Sequence, residues 1–198
     1  MKNISCINLS SIDFENTPFP HFSSTAVFSN GVDLNLFNWF DKTPEWKLVT
    51  TDFYEQYEFS FLDIEIPEHL KSIINTDTIE VIGKKLEESF NVNSLNLVGV
   101  TAHKLVDGHH IGIHNDYIGG EETHRMVVHL SPNWDESKGG FFMLFNSADA
   151  KDVKKIIKPL NNTAIGFEIS KISNHAVSKI YNFSRYSIVY TFSTKESL

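Results

Sequence analysis

His114-Asn115-Asp116 sets an imidazole and a carboxylate two residues apart. On an extended strand, side chains at i and i+2 point to the same face, so both groups could reach one metal ion. Ile111 and Ile113 alternate with small or polar neighbours, which predicts a strand leading into the triplet. His175, in Ser173-Asn174-His175-Ala176-Val177, is the candidate third donor. Two histidines and one carboxylate form a facial donor set that leaves positions open and suits Fe(II). Further along, Arg185 and Ser187 share one face of a predicted strand. An arginine turned into an apolar barrel is costly unless an anion meets it. A guanidinium with a nearby hydroxyl suits a carboxylate, held by charge-assisted hydrogen bonds. Taken singly these signals are weak: the chain has nine histidines, and Arg185 could equally pair with a surface acid.

The elements that must position these residues fit within one domain of 198 residues. Hydrophobic residues make up 41% and aromatics 13%, with 16 phenylalanines, enough for a substantial core or an apolar pocket. The net charge of −8 argues against a nucleic-acid partner, because tracking a phosphate backbone needs clustered Lys and Arg. A single cysteine, Cys6, rules out an intrachain disulfide and a Cys-based zinc site, and fits a reducing compartment. The first residues lack the charged and apolar regions of a secretion signal, and no apolar run approaches a membrane span. The expected location is cytoplasmic, with no membrane partner; the sequence carries no signal for an oligomeric state.

Residues 1–32 are expected to lie over the surface of the core, with Thr17-Pro18-Phe19-Pro20 extended or turning. A short helix is predicted from Leu34 to Phe40, capped by Asp33 and ended by Pro44. A strand follows over Tyr54–Phe61, then a short helix after Pro67. A longer helix, capped by Thr76 or Thr78, runs to Phe90 with Ile79, Ile82, Leu86 and Phe90 on one face. From Leu95 onward the chain reads as short strands separated by Gly- or Asn-containing turns. The predicted fold class is mainly β with flanking helices, a sandwich or barrel of the jelly-roll kind. One domain spans 1–198, with a buttress over 1–94 and a β core over 95–194.

Between Ala102 and Phe192 the sequence resembles the Fe(II)- and 2-oxoglutarate-dependent dioxygenases, in their prolyl-hydroxylase-like branch. The likeness is carried by Gly108, His114-Asn115-Asp116, Leu130-Ser131-Pro132-Asn133-Trp134, Gly139-Gly140-Phe141-Phe142, Pro159, Gly166-Phe167, His175-Ala176-Val177 and Arg185-Tyr186-Ser187. The resemblance implies a double-stranded β-helix, with His114, Asp116 and His175 as iron ligands. It implies Fe(II), 2-oxoglutarate and O2 as cofactors, with ascorbate as a stimulant. Arg185 would hold the far carboxylate of 2-oxoglutarate, assisted by Ser187. His129 stands where relatives often carry a tyrosine that touches the same carboxylate, and Leu105 replaces another tyrosine. Arg125, on the face of His129, is expected to contact cosubstrate or substrate, or else to form a salt bridge. An acid at 116 favours hydroxylation over halogenation, since halogenating relatives carry a small residue there.

The N-terminal half, through Pro18-Phe19-Pro20-His21-Phe22, Asn38-Trp39-Phe40, Phe53–Glu58 and Ala102-His103-Lys104-Leu105, is similar to oxygenases that accompany ribosomally made peptides, including cyclophane-containing ones. The expected reaction is therefore hydroxylation of an unactivated C–H bond on an amino-acid side chain in a peptide. Competing readings are a hydroxylase of a free amino acid or small natural product, a non-redox jelly-roll isomerase or binding module, and a catalytically silent sensor. His103, His109, His110 and His124 receive no role, and Ile118–Thr123 is either a mobile lid or an ordinary hairpin loop.

Overall fold

A computed structural model describes residues 5–194. The strands, in chain order, are β1 (Ile12–Glu15), β2 (His21–Thr25), β3 (Lys47–Thr50), β4 (Glu55–Ser60), β5 (Asn96–Leu105), β6 (Ile111–His114), β7 (His124–Leu130), β8 (Phe142–Phe145), β9 (Val153–Ile157), β10 (Thr163–Glu168), β11 (His175–Val177) and β12 (Arg185–Ser193). Two α-helices, α1 (Val32–Phe40) and α2 (Thr76–Phe90), and a 3-10 helix over Glu68–Ile74 lie in the N-terminal half. The strands form an eight-stranded sheet in the order β1-β2-β10-β7-β12-β5-β4-β3 and a four-stranded sheet in the order β6-β11-β8-β9. Two facing antiparallel sheets make the expected jelly roll.

The large sheet is covered on both faces, and β12 records this most clearly: all nine of its residues are buried. Tyr186, Ile188, Tyr190 and Phe192 face the helices, where they join Leu36 and Phe40 of α1 and Ile82 and Leu86 of α2. The alternate residue Val189 faces the small sheet, in a second core with Leu105, Val127, Phe142, Phe167 and Val177. Because successive strand residues point to opposite faces, Arg185 and Ser187 are carried to this inner side with Val189.

The helices start differently from expectation. Asn75, not Thr76 or Thr78, caps α2: its side chain accepts a hydrogen bond from the Thr78 amide at 2.8 Å. Gly31, in the left-handed region at φ 72°, precedes α1. Asp33 sits in the first turn and accepts from Asn161 Nδ2 at 2.7 Å. The described part of residues 1–32 does more than lie over the core: β2 pairs onto β10 and β1 onto β2, so both extend the large sheet. The strand expected over Ala176–Tyr181 ends at Val177.

Candidate metal centre and anion cradle

His114 closes β6 and His175 opens β11, and the two are directly opposed in the antiparallel register. Their ring centroids are 4.2 Å apart. Each Nδ1 donates to the carbonyl two residues earlier, His114 to Gly112 at 2.9 Å and His175 to Ser173 at 2.7 Å. A carbonyl only accepts, so the proton sits on Nδ1 and each Nε2 keeps a lone pair. Both Nε2 atoms face Asp116, at 3.4 Å from Oδ1 for His114 and 3.2 Å from Oδ2 for His175. One ligand atom from each of the three residues can be chosen so that all lie within 4.8 Å of one another.

Asp116 reaches this position by a different route from strand alternation. β6 ends at His114, and Asp116 takes a left-handed conformation at φ 59°. Its turn is tied down by Asn115, whose Oδ1 accepts from the Tyr117 amide at 3.1 Å and whose Nδ2 donates to the Lys171 carbonyl at 3.2 Å. Ser173 Oγ lies 2.9 Å from the Asn115 carbonyl, so the segments bearing Asp116 and His175 brace each other. Burial on its own would raise the Asp116 pKa. The Arg125 guanidinium and the neighbouring histidines outweigh it and hold the carboxyl well below the usual range. Burial lowers the His175 pKa, which favours a neutral ring.

Arg185 is 3% exposed and has no carboxylate within salt-bridge distance among the described residues. Its Nη2 donates to His129 Nδ1 at 3.1 Å. Burial and the Arg185 charge keep His129 well below the ordinary histidine pKa, hence neutral. With Nδ1 accepting, the His129 proton is on Nε2, and that atom is buried without a partner, as is Arg185 Nε. Two stranded donors beside a buried cation form a cradle for an anion. Burial lowers Arg185 itself to about 10, which leaves it charged at neutral pH. Ser187 is buried one pleat away, opposite His129 on β7 and His103 on β5. Arg185, Ser187, His114, His175 and Arg125 line one small cavity of about 50 Å³ between the sheets, walled by Val127, Phe142 and Phe167.

The remaining candidates fall in different places. Arg125, the second residue of β7, lies 2.7 Å from Asp116 Oδ2 through Nη1 and pairs with Glu122 through Nη2, while its Nε is buried and unpartnered. Leu105 is buried opposite Arg185. His103 lines the cavity, which β-strand alternation from Leu105 would have indicated. Phe53 escaped the sequence reading: its ring lies 5.1 Å from that of His114, and its carbonyl accepts from the Gly112 amide at 2.7 Å. Only that pairing of the 51–54 turn onto β6 brings it there. His109 stacks on Tyr57, and His124 packs on Phe90 away from the cavity.

The donor set suits Fe(II). It offers two neutral imidazole nitrogens with free lone pairs and a buried carboxylate oxygen, Asp116 Oδ2, that makes no aligned hydrogen bond. The cradle suits a dicarboxylate whose far end sits on Arg185. Comparison with known proteins points the same way. Residues 100–193 match the family model of the 2OG-Fe(II) oxygenase superfamily. The fold is similar to that of a Pseudomonas putida prolyl-4-hydroxylase, with 12% identity, TM-score 0.71, and 89% of this chain and 93% of that chain covered. It is also similar to a Trichoplax adhaerens prolyl hydroxylase solved with a hypoxia inducible factor peptide fragment (10% identity, TM-score 0.71, 87% and 83% covered). A third likeness is to a viral collagen prolyl hydroxylase from Paramecium Bursaria Chlorella virus-1 (15% identity, TM-score 0.63, 88% and 96% covered).

Proposed function

We propose that the chain, whose residues 100–193 match the 2OG-Fe(II) oxygenase superfamily, uses Fe(II), 2-oxoglutarate and O2 to hydroxylate an unactivated C–H bond on an amino-acid side chain within a peptide. His114, Asp116 and His175 hold the metal. Arg185 and His129, with Ser187 beside them, hold the far carboxylate of 2-oxoglutarate. The observation that carries this reading is the convergence of His114, Asp116 and His175 beside a cavity that also takes in Arg185, with stranded N–H groups on Arg185 and on its hydrogen-bond partner His129. Bound iron and cosubstrate supply the oxidising power: 2-oxoglutarate and O2 give succinate and CO2 while one oxygen atom enters the C–H bond.

The chain's own groups bind, orient and keep the site dry. The Nδ1–H bonds of His114 and His175 fix the ring orientations. Asp116, held ionised, brings the negative charge a dication needs. Val127, Phe142, Phe167, Val177 and Val189 exclude water around the cosubstrate. The cavity is too small for a second large guest, so the substrate presents one side chain beside His114, against which the Phe53 ring packs. A peptide is favoured because two of the structural neighbours are a peptide-bound prolyl hydroxylase and a collagen prolyl hydroxylase. A cytoplasmic location fits the single cysteine, and no helix among the described residues is long and apolar enough to cross a membrane.

Anaerobic titration with Fe(II) and 2-oxoglutarate tests the site. A visible charge-transfer band should appear in the wild type and be lost in Asp116→Ala. Arg185→Ala should weaken 2-oxoglutarate binding while leaving Fe(II) binding intact. Wild-type behaviour of both variants would sink the assignment. Incubation with candidate peptides should add the mass of one oxygen atom, whereas turnover of free amino acids alone would rule the peptide out.

A further inference from the structure

We propose that Arg125 is a positioning residue for Asp116, held in that task by Glu122; the inference rests on Asp116 being an iron ligand, as read above. The backbone alone does not aim this carboxylate. Asp116 lies beyond the end of β6, in a left-handed turn, so no strand pleat or ladder hydrogen bond sets its direction. Two of the groups around its oxygens are the His114 and His175 Nε2 atoms, the ones that must share the metal with it. Among the described residues the remaining ion-pair partner is Arg125 Nη1, at 2.7 Å from Oδ2.

Arg125 is well placed to act as the fixed point. It stands on β7, between Thr191 of β12 and Phe167 of β10, in the middle of the large sheet. Its other amino group pairs with Glu122, three residues earlier in the segment that leads from Asp116 to β7. The guanidinium therefore spans two carboxylates, one nitrogen to each, in a fixed planar fork. The charges alternate from the metal site outward: Asp116 negative, Arg125 positive, Glu122 negative. A lone guanidinium so near a metal carboxylate would oppose a dication, and Glu122 offsets that charge while fixing the fork's rotation. Both amino groups are thus engaged by carboxylates, and Nε is buried without a partner. The two ion pairs assign the amino groups of Arg125 to the metal carboxylate and to Glu122. A lysine ammonium lacks the planar fork and could not hold both acids in the same geometry.

The test compares the whole protein with Arg125→Gln, Arg125→Lys, Glu122→Gln and the Arg125→Gln/Glu122→Gln double variant. Anaerobic titration with Fe(II) alone reads metal affinity. The visible ligand-field bands of the Co(II)-loaded protein read the pose of the carboxylate, and thermal melting reports folding. Arg125→Gln should bind Fe(II) about 10- to 100-fold more weakly, the usual cost of losing a group that orients a metal ligand. Its Co(II) bands should shift, and Arg125→Lys should recover only part of the affinity. Glu122→Gln should weaken binding less, and should add nothing in the Arg125→Gln background, because it acts through Arg125. Wild-type Fe(II) affinity and Co(II) bands in a folded Arg125→Gln protein overturn the proposal. So does a defect confined to the KM for the organic substrate. Should Arg125→Gln fail to fold, Glu122→Gln decides alone: reduced affinity supports the proposal and unchanged affinity overturns it. Retained Fe(II) binding in Asp116→Ala would remove the metal-site reading itself, and this inference with it.

Discussion

Two imidazoles 4.2 Å apart, each with its proton committed to a backbone carbonyl, present their lone pairs toward one carboxylate. At this scale the chemistry depends on groups that are buried and left incomplete. Arg185 illustrates the cost: a guanidinium 3% exposed with no acid beside it is unfavourable until an anion arrives. Room for that side chain comes from Gly140. A Cβ built there would stand 3.0 Å from Arg185 Cδ and 2.6 Å from Ile180 Cδ1, and the residue holds φ 70°. Gly140→Ala should therefore displace Arg185 and weaken 2-oxoglutarate binding by about tenfold or more, on the scale of a lost charge-assisted hydrogen bond. Calorimetric titration of the cosubstrate against Fe(II)-loaded protein checks this, with Fe(II) affinity itself expected to hold.

At the scale of elements, the site depends on how strands pair more than on any one strand. β10 is the seam between the N-terminal strands and the jelly-roll core, pairing with β2 on one side and β7 on the other. Gly166 makes the close approach possible: a Cβ there would fall 2.3 Å from Phe22 Cζ, inside a ring that is fully buried. Gly166→Ala should cost about 1–3 kcal/mol through overpacking, measurable as a lowered midpoint in urea with an unchanged slope. The element pattern was partly legible beforehand. α1, α2 and most strands from Asn96 onward follow their apolar periodicity. β1, β2, β3 and β9 did not stand out, for a physical reason. They are short, and β1, β3 and β9 are edge strands with largely exposed residues such as Lys47, Leu48, Val153 and Ile156, so no apolar alternation marks them.

Across the whole molecule, burial acts on several histidines in the same direction. Desolvation lowers His124 to about 4 and His103 to about 3, with Arg125 and Arg185 adding to the latter, and His129 also lies well below its ordinary value. These groups are neutral in the folded chain and take up protons on unfolding. The unfolded state therefore binds more protons below about pH 6.5. Their contribution to stability is complete above that pH and is lost as pH falls toward the folded values. Each such group contributes a slope of roughly 1.4 kcal/mol per pH unit within its window. Denaturation at pH 5, 6 and 7 should show stability falling steadily with acid, and His124→Gln should flatten the slope. His124 packs on Phe90 outside the cavity, so this variant leaves the metal donors untouched.

The sequence by itself determined the types of donor, their order along the chain, the β-rich class with helices ahead of it, and the presence of an arginine and a serine on one strand face. These follow from local rules, since side-chain chemistry and the period-2 pleat need no knowledge of distant neighbours. Tertiary structure alone decided that His175 lies opposite His114, that Asp116 arrives through a left-handed turn, and that the Phe53 ring packs against His114. It also decided that Arg125 is spent on two carboxylates. Each of these depends on which strands pair and in which register. That choice is made by burying whole faces against one another, a property of the assembled sheets that no single segment carries.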